Sequence, residues 1–188
     1  MTTWRTVASR TPYENRWIRI REDDVVMPDG SPGLYGVVEM RHPAVFIVGL
    51  DDDDRVLLVE LDRYTTGRSF EVPAGGSEGE KPLEAARREL LEETGMVADE
   101  WTELGGLDAL NGVAVAPAHV FLARRLRRAD RSPQGAGELS AAQHEEGIAG
   151  VRFAPFDTVL GMIAAGGLRD SETVAALALA GIRLGRFH

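Results

Sequence analysis

Apolar positions along the first forty residues read as strands, in places with their two-residue period. Trp17-Ile18-Arg19-Ile20-Arg21 alternates, Met27-Pro28-Asp29-Gly30 is a turn signal, and a second run spans Tyr35 to Met40. These residues predict a hairpin-like β segment. Val45-Phe46-Ile47-Val48-Gly49-Leu50 and Val56-Leu57-Leu58-Val59 are near-continuous apolar runs on either side of Asp51-Asp52-Asp53-Asp54. This is the pattern of buried strands joined by a polar turn. Four consecutive carboxylates in a turn point different ways and repel, so the turn is expected to be a solvated loop and not a metal site.

Pro73 to Glu80 form a glycine-rich loop, after which Pro82 suits the first turn of a helix. The helix is predicted to run to about Thr94 and to stop at Gly95, since glycine tolerates the left-handed conformation common just past a helix end. Strands are expected near Glu103 to Leu107 and Ala118 to Ala123. A basic loop containing Gly, Pro and Ser should follow, from Arg124 to about Gln143. A strand at Gly150 to Phe153 and helices at Phe156 to Ala165 and Ser171 to Leu184 close the chain. No internal repeat is visible, which excludes solenoids and propellers.

The 188 residues suffice for one sizeable core. With 44% hydrophobic and 27% charged residues the composition is that of a folded protein in water. The apolar stretch Val174 to Ile182 is shorter than the roughly 20 residues of a membrane span. Met1 to Arg5 lack a secretory pattern, so a cytoplasmic protein is expected. Zero cysteines exclude disulfides, thiolate metal sites and a cysteine nucleophile. The net charge of -9 argues against a broad electrostatic grip on nucleic acid. An acidic protein acting on a phosphate compound needs local arginines or a bound cation instead.

The chemistry is concentrated between Glu80 and Gly95. At about 100° per residue, with Arg88 at zero, Glu92 falls near 40°, Glu89 near 100° and Glu93 near 140°. Three carboxylates thus share one arc, bordering an apolar stripe of Leu83, Ala86 and Leu90. Carboxylates held so close repel, and hard divalent cations such as Mg²⁺ or Mn²⁺ relieve this while bridging to substrate phosphates. A solvated helix face with an Arg88–Glu92 pair is the plainer alternative for the helix taken alone.

Arg88-Glu89-Leu90-Leu91-Glu92-Glu93-Thr94-Gly95-Met96 resembles the second half of the Nudix signature, and Glu80 stands ahead of Arg88 as that signature's earlier glutamate does. One departure lies upstream, where Ala74 occupies the place of the signature's opening glycine and Gly75 follows it, as in a loop shortened by one residue. The resemblance implies an α+β fold, an α/β/α sandwich with a central mixed sheet flanked by helices. Residues 1–40 would form an N-terminal β segment and residues 41–188 the Nudix hydrolase domain. It implies Glu89 and Glu93 as direct metal ligands, Glu92 as a further or water-mediated ligand, and the Ala74 carbonyl as a backbone ligand for Mg²⁺ or Mn²⁺. Arg88 would orient the glutamates, as an arginine fork can hold a carboxylate.

In such enzymes water attacks a diphosphate bridge. Glu145 and Glu146 are the candidate bases, Glu146 slightly preferred, with His144 a less favoured proposal and a solvated acidic loop the alternative. Leu57 to Tyr64, Phe70 to Gly75 and Val120 to Ala123 resemble the ADP-ribose pyrophosphatase branch. That resemblance implies Arg63 near the substrate phosphates, assisted by Arg68, and Gly112 as the matching residue of a later substrate motif otherwise absent. It implies a small-molecule nucleoside diphosphate substrate, with ADP-ribose first and GDP-mannose or another nucleotide sugar open. A homodimer through the N-terminal strands is the expected assembly, with no nucleic acid or membrane partner. A non-catalytic nucleotide-sugar sensor of the same fold is the competing class.

Overall fold

The structure, a computed structural model, describes residues 3–129, 143–144 and 147–187. Three antiparallel strands open the chain: β1 (Arg5–Glu14), β2 (Ile18–Val26) and β3 (Pro32–Met40). The short β9 (Ala114–Val115) joins them in parallel beside β3. The hairpin-like segment is thus part of a four-stranded sheet in the order β1-β2-β3-β9.

The central sheet is mixed, in the order β7-β4-β10-β8. β4 (Ala44–Gly49) pairs in parallel with β10 (Pro117–Arg128) and antiparallel with β7 (Ala74–Gly76). β8 (Met96–Asp108) runs antiparallel to β10. A third sheet sets β5 (Arg55–Arg63) between β6 (Gly67–Glu71) and β11 (Ile148–Pro155).

The two apolar runs around the aspartates therefore do not form an extended hairpin. After one bridge, Leu50 to Val56, β4 and β5 diverge into different sheets. The turn between them is closed by Asp51, whose Oδ1 accepts from the Asp53 and Arg55 backbone N–H groups at 3.1 and 2.8 Å. Asp54 is bound by Arg124 at 2.8 Å and by Arg186 at 3.0 Å. These carboxylates are satisfied by backbone and arginine, as expected of a solvated turn. The expected basic loop begins later than its composition suggests, because Arg124 to Arg128 extend β10. Residues 130–142 of that loop lie outside the described residues.

Helix α1 (Pro82–Thr94) lies on one face and helices α2 (Phe156–Ala164) and α3 (Ser171–Arg183) on the other. Strand alternation divides the core between them. Val45, Ile47, Leu57 and Phe121 pack against Ala85, Ala86 and Leu90 of α1. Val48, Val56, Leu58 and Leu122 pack against Phe156, Val159, Ala176 and Leu177 of α2 and α3. Each fully buried Leu, Ile or Val contributes about 1.5–3 kcal/mol relative to exposure. The result is the expected α+β sandwich, in which α1, α2 and α3 flank the sheets among the described residues. Among the described residues no helix is long and apolar enough to cross a membrane.

Candidate active site

Helix α1 starts with Pro82, whose fixed φ suits the first turn, and ends at Gly95, left-handed at φ 67°, whose N–H donates to Leu91 O at 2.8 Å. Its buried side is Ala85, Ala86, Glu89, Leu90, Glu93 and Thr94. Glu89 and Glu93 are therefore inside the packed stripe, where a carboxylate is stable only with compensating donors or cations. The wheel put Glu92 on the same arc, but the structure separates it: its side chain is 45% exposed.

Facing the helix is β7. The Ala74 N–H donates to Glu93 Oε2 at 2.9 Å. Gly75 lies against Glu89 so closely that a Cβ there would stand 2.1 Å from Oε1. β7 is held from behind by its pairing with β4 and by the Ile47 N–H to Pro73 O bond at 2.9 Å. The glycine-rich loop of the sequence is thus partly a strand, and its small residues let two buried carboxylates touch backbone.

Arg88 ties this unit together. Its guanidinium donates to Glu80 Oε2, Glu89 Oε1, Glu92 Oε2 and the Gly76 carbonyl, each at 2.9 Å. Burial works against the charge, yet these carboxylates outweigh it and hold Arg88 well above the usual arginine range. A guanidinium so placed fixes the rotamers of three glutamates and links the loop to the helix.

Beside β7 opens a cavity of about 380 Å³, walled by Phe46, Arg63, Thr66, Glu71, Gly75 and Asp170 among others. Arg63 donates to both oxygens of Glu71, at 3.2 and 2.5 Å, and the Ser69 hydroxyl donates to Glu71 Oε1 at 2.5 Å. Burial pushes the Glu71 carboxyl up, but Arg63 and Ser69 win and hold it below the usual range. The hydrogen bonds that Arg63 donates to Glu71 raise the guanidinium in turn. Asp170 caps α3, accepting from the Thr173 N–H at 2.8 Å, yet its burial, with Glu71 and Glu172 nearby, raises its carboxyl above the usual range.

The expected residues are thus only partly assembled. Ala74, Glu89, Glu93, Glu92 and Arg88 form one unit, and Arg63 reaches the cavity that Ala74 and Gly75 also line. Arg68 instead pairs with Glu60 at 2.5 Å and lines a second, larger cavity. Gly112 is not brought to either: it lies in the turn before β9, where its carbonyl accepts the Tyr35 hydroxyl. Glu145 and Glu146 lie outside the described residues. His144 O accepts from the Gly147 N–H at 3.1 Å, and Gln143 Nε2 donates to Glu93 O at 2.5 Å.

Among the described residues no three His, Asp or Glu side chains converge as a ready metal centre. The donor chemistry still fits a hard divalent cation. Two buried carboxylates against the backbone of Ala74 and Gly75 suit Mg²⁺, which keeps several waters and takes further oxygens from substrate phosphates. Phe46, Glu71 and Asp170 line the cavity beside Arg63, and Ser69 bonds Glu71, though the sequence reading singled out none of the four. A glutamate between two apolar residues in Phe70-Glu71-Val72 was the available signal, since a charge in a strand core needs a partner.

A family model described as NUDIX domain matches residues 40–177, and one described as nucleoside diphosphate sugar hydrolase N-terminal domain matches residues 4–38. A curated ADP-ribose pyrophosphatase of Mycobacterium tuberculosis (strain ATCC 25618 / H37Rv) is 34% identical over 180 residues, covering 94% of this chain and 80% of the relative. An ADP-ribose pyrophosphatase of Bacillus subtilis (strain 168) is 34% identical over 125 residues, 65% of this chain and 66% of the relative. A solved structure described as an ADP compounds hydrolase superposes with a TM-score of 0.81 over 98% of this chain and 96% of that one. At 21% identity it speaks to the fold alone.

Proposed function

This chain belongs to the Nudix family and is a pyrophosphohydrolase, and from that premise we propose that it splits ADP-ribose into AMP and ribose 5-phosphate with Mg²⁺ or Mn²⁺ as its cation. Divalent metal dependence is general to the family. The observation that carries the reading is the pair of buried carboxylates, Glu89 and Glu93, pressed against the backbone of Ala74 and Gly75 at the edge of the Arg63 cavity. The two relatives named ADP-ribose pyrophosphatase supply the substrate.

Glu89, Glu93 and the Ala74 carbonyl would hold the cation, with Glu92 bound to it directly or through water. Bound there, a divalent ion polarises phosphoryl oxygens and offsets the charge that builds on the leaving phosphate. Arg88 keeps the carboxylates aimed, and its bonds to Glu80 and Gly76 O stop loop and helix from separating. Arg63, held by Glu71, presents its remaining N–H groups to the diphosphate. Glu146, or Glu145 beside it, is the proposed base that takes a proton from the attacking water. Gln143, shortly before them in the chain, bonds the helix at Glu93 O, which supports that assignment.

A homodimer is part of the proposal. β1 is an edge strand exposed along its whole length, and Val7, Tyr13 and Leu34 of this sheet and Trp17 of the β1–β2 turn are exposed apolar side chains. Such an edge and patch favour burial against a second copy. Light scattering behind size exclusion checks it, and a monomer at micromolar concentration would defeat it.

The decisive assay incubates the protein and Mg²⁺ with ADP-ribose, GDP-mannose and nucleoside triphosphates. AMP and ribose 5-phosphate from ADP-ribose are the expected products. Turnover confined to triphosphates, or turnover of ADP-ribose that persists in full after the divalent cation is removed, would overturn the reading.

A further inference from the structure

The larger cavity, about 730 Å³, adjoins the smaller one and shares with it the walls Thr66, Glu71 and Asp170. A ligand whose diphosphate lies beside Arg63 and Gly75 therefore has a second compartment to extend into. The chemistry of that compartment differs. Ser69 and Ser171 add hydroxyls to that of Thr66, Arg169 adds a guanidinium, and none of the lining side chains is aromatic or large and aliphatic. A nucleobase seeks an aromatic or apolar wall to stack on, whereas a group with many hydroxyls seeks donors and acceptors. Phe46 lines only the smaller cavity.

Of the two carboxylates on the shared wall, Glu71 is engaged by Arg63 and Ser69. Asp170 caps α3 through the Thr173 backbone N–H and also engages the Thr173 hydroxyl, and a carboxylate has further acceptor capacity beyond these two bonds. Arg169 has no carboxylate or aromatic partner among the described residues.

We infer that this compartment holds the sugar beyond the diphosphate, with Asp170 accepting hydrogen bonds from its hydroxyls and so determining which sugar is accepted. The inference rests on the pyrophosphohydrolase reading above and deepens it by assigning the non-nucleoside half of the substrate. Asp170 also stands where burial disfavours its charge, a cost that capping alone does not demand, since serine caps as well.

The test uses the full chain with Mg²⁺ and the variants Asp170→Ser and Asp170→Asn, both good helix caps, with thermal melting to verify folding. Two constants are read for each: KM for ADP-ribose, and the inhibition constant of ADP, which has the nucleotide half but no sugar beyond it. In Asp170→Ser, KM rises roughly tenfold or more, as for loss of a hydrogen bond to a charged group, while ADP inhibits no more weakly. Asp170→Asn, which keeps an acceptor oxygen, loses less. If ADP weakens in parallel with ADP-ribose, or neither constant moves, the sugar assignment is wrong although the hydrolase reading stands. If the parent protein releases no AMP from ADP-ribose, the function proposed above falls and this inference with it.

Discussion

The carboxylate of Glu89 occupies the space directly in front of Gly75, 2.1 Å from where a Cβ on that residue would be. No methyl group fits there without moving the glutamate or the strand. Gly75→Ala should therefore displace Glu89 while the core, which lies behind it, stays packed. Mn²⁺ affinity, read by titration, is expected to fall tenfold or more, in the range typical of disturbed metal surroundings. Unchanged affinity would mean that Glu89 does not serve the cation.

Glu93→Gln isolates charge from shape. The amide can still accept the Ala74 N–H, so melting should change little, whereas Mg²⁺-dependent turnover should drop roughly 100-fold or more. Parent-level turnover would remove Glu93 from the ligand set.

Arg63 and Glu71 should behave as one unit. Arg63→Ala is expected to raise KM for ADP-ribose about tenfold or more, and Glu71→Gln to raise it less, by loosening the same guanidinium. The double variant should be no worse than Arg63→Ala, because groups sharing an interaction are not additive. Additive losses would show that Glu71 acts on the substrate by some other route.

Asp170 should cost stability. Burial raises its carboxyl above the ordinary 3.8, so folding favours the protonated form. The penalty is absent well below that value and grows as the pH climbs through it to the folded value, remaining in full at neutrality. Asp170→Asn keeps the cap and removes the charge, so it should melt higher than the parent at pH 7. The difference should vanish below about pH 4. A constant difference across pH would point to the cap alone.

Helix α1 was legible because proline, glutamate spacing and Gly95 all act locally. The same local logic put Glu89, Glu92 and Glu93 on one arc, of which the structure buries the first and last and leaves Glu92 half exposed. A wheel gives direction but not the depth of the partner surface, and β7 covers only part of that arc. The divergence of β4 and β5 was hidden, since a continuous apolar run is equally suited to either sheet. Arg68 was expected to assist Arg63, but it pairs with Glu60 diagonally across the β5–β6 pair, a partner that sequence proximity does not reveal. Gly112 failed for a similar reason, its carbonyl serving the N-terminal sheet through Tyr35. Asp170 was out of reach altogether: it meets Glu71 across a hundred residues of chain, and no local pattern records such a meeting.

The alternation of side chains along β4 and β5 sets the glutamate helix on one half of the hydrophobic interior and the α2–α3 connection on the other. Residues that choose the ligand can then be exchanged without repacking those that cleave it. A lineage with this architecture is free to explore new metabolites by altering the loop at 165–171 while its hydrolytic apparatus stays intact.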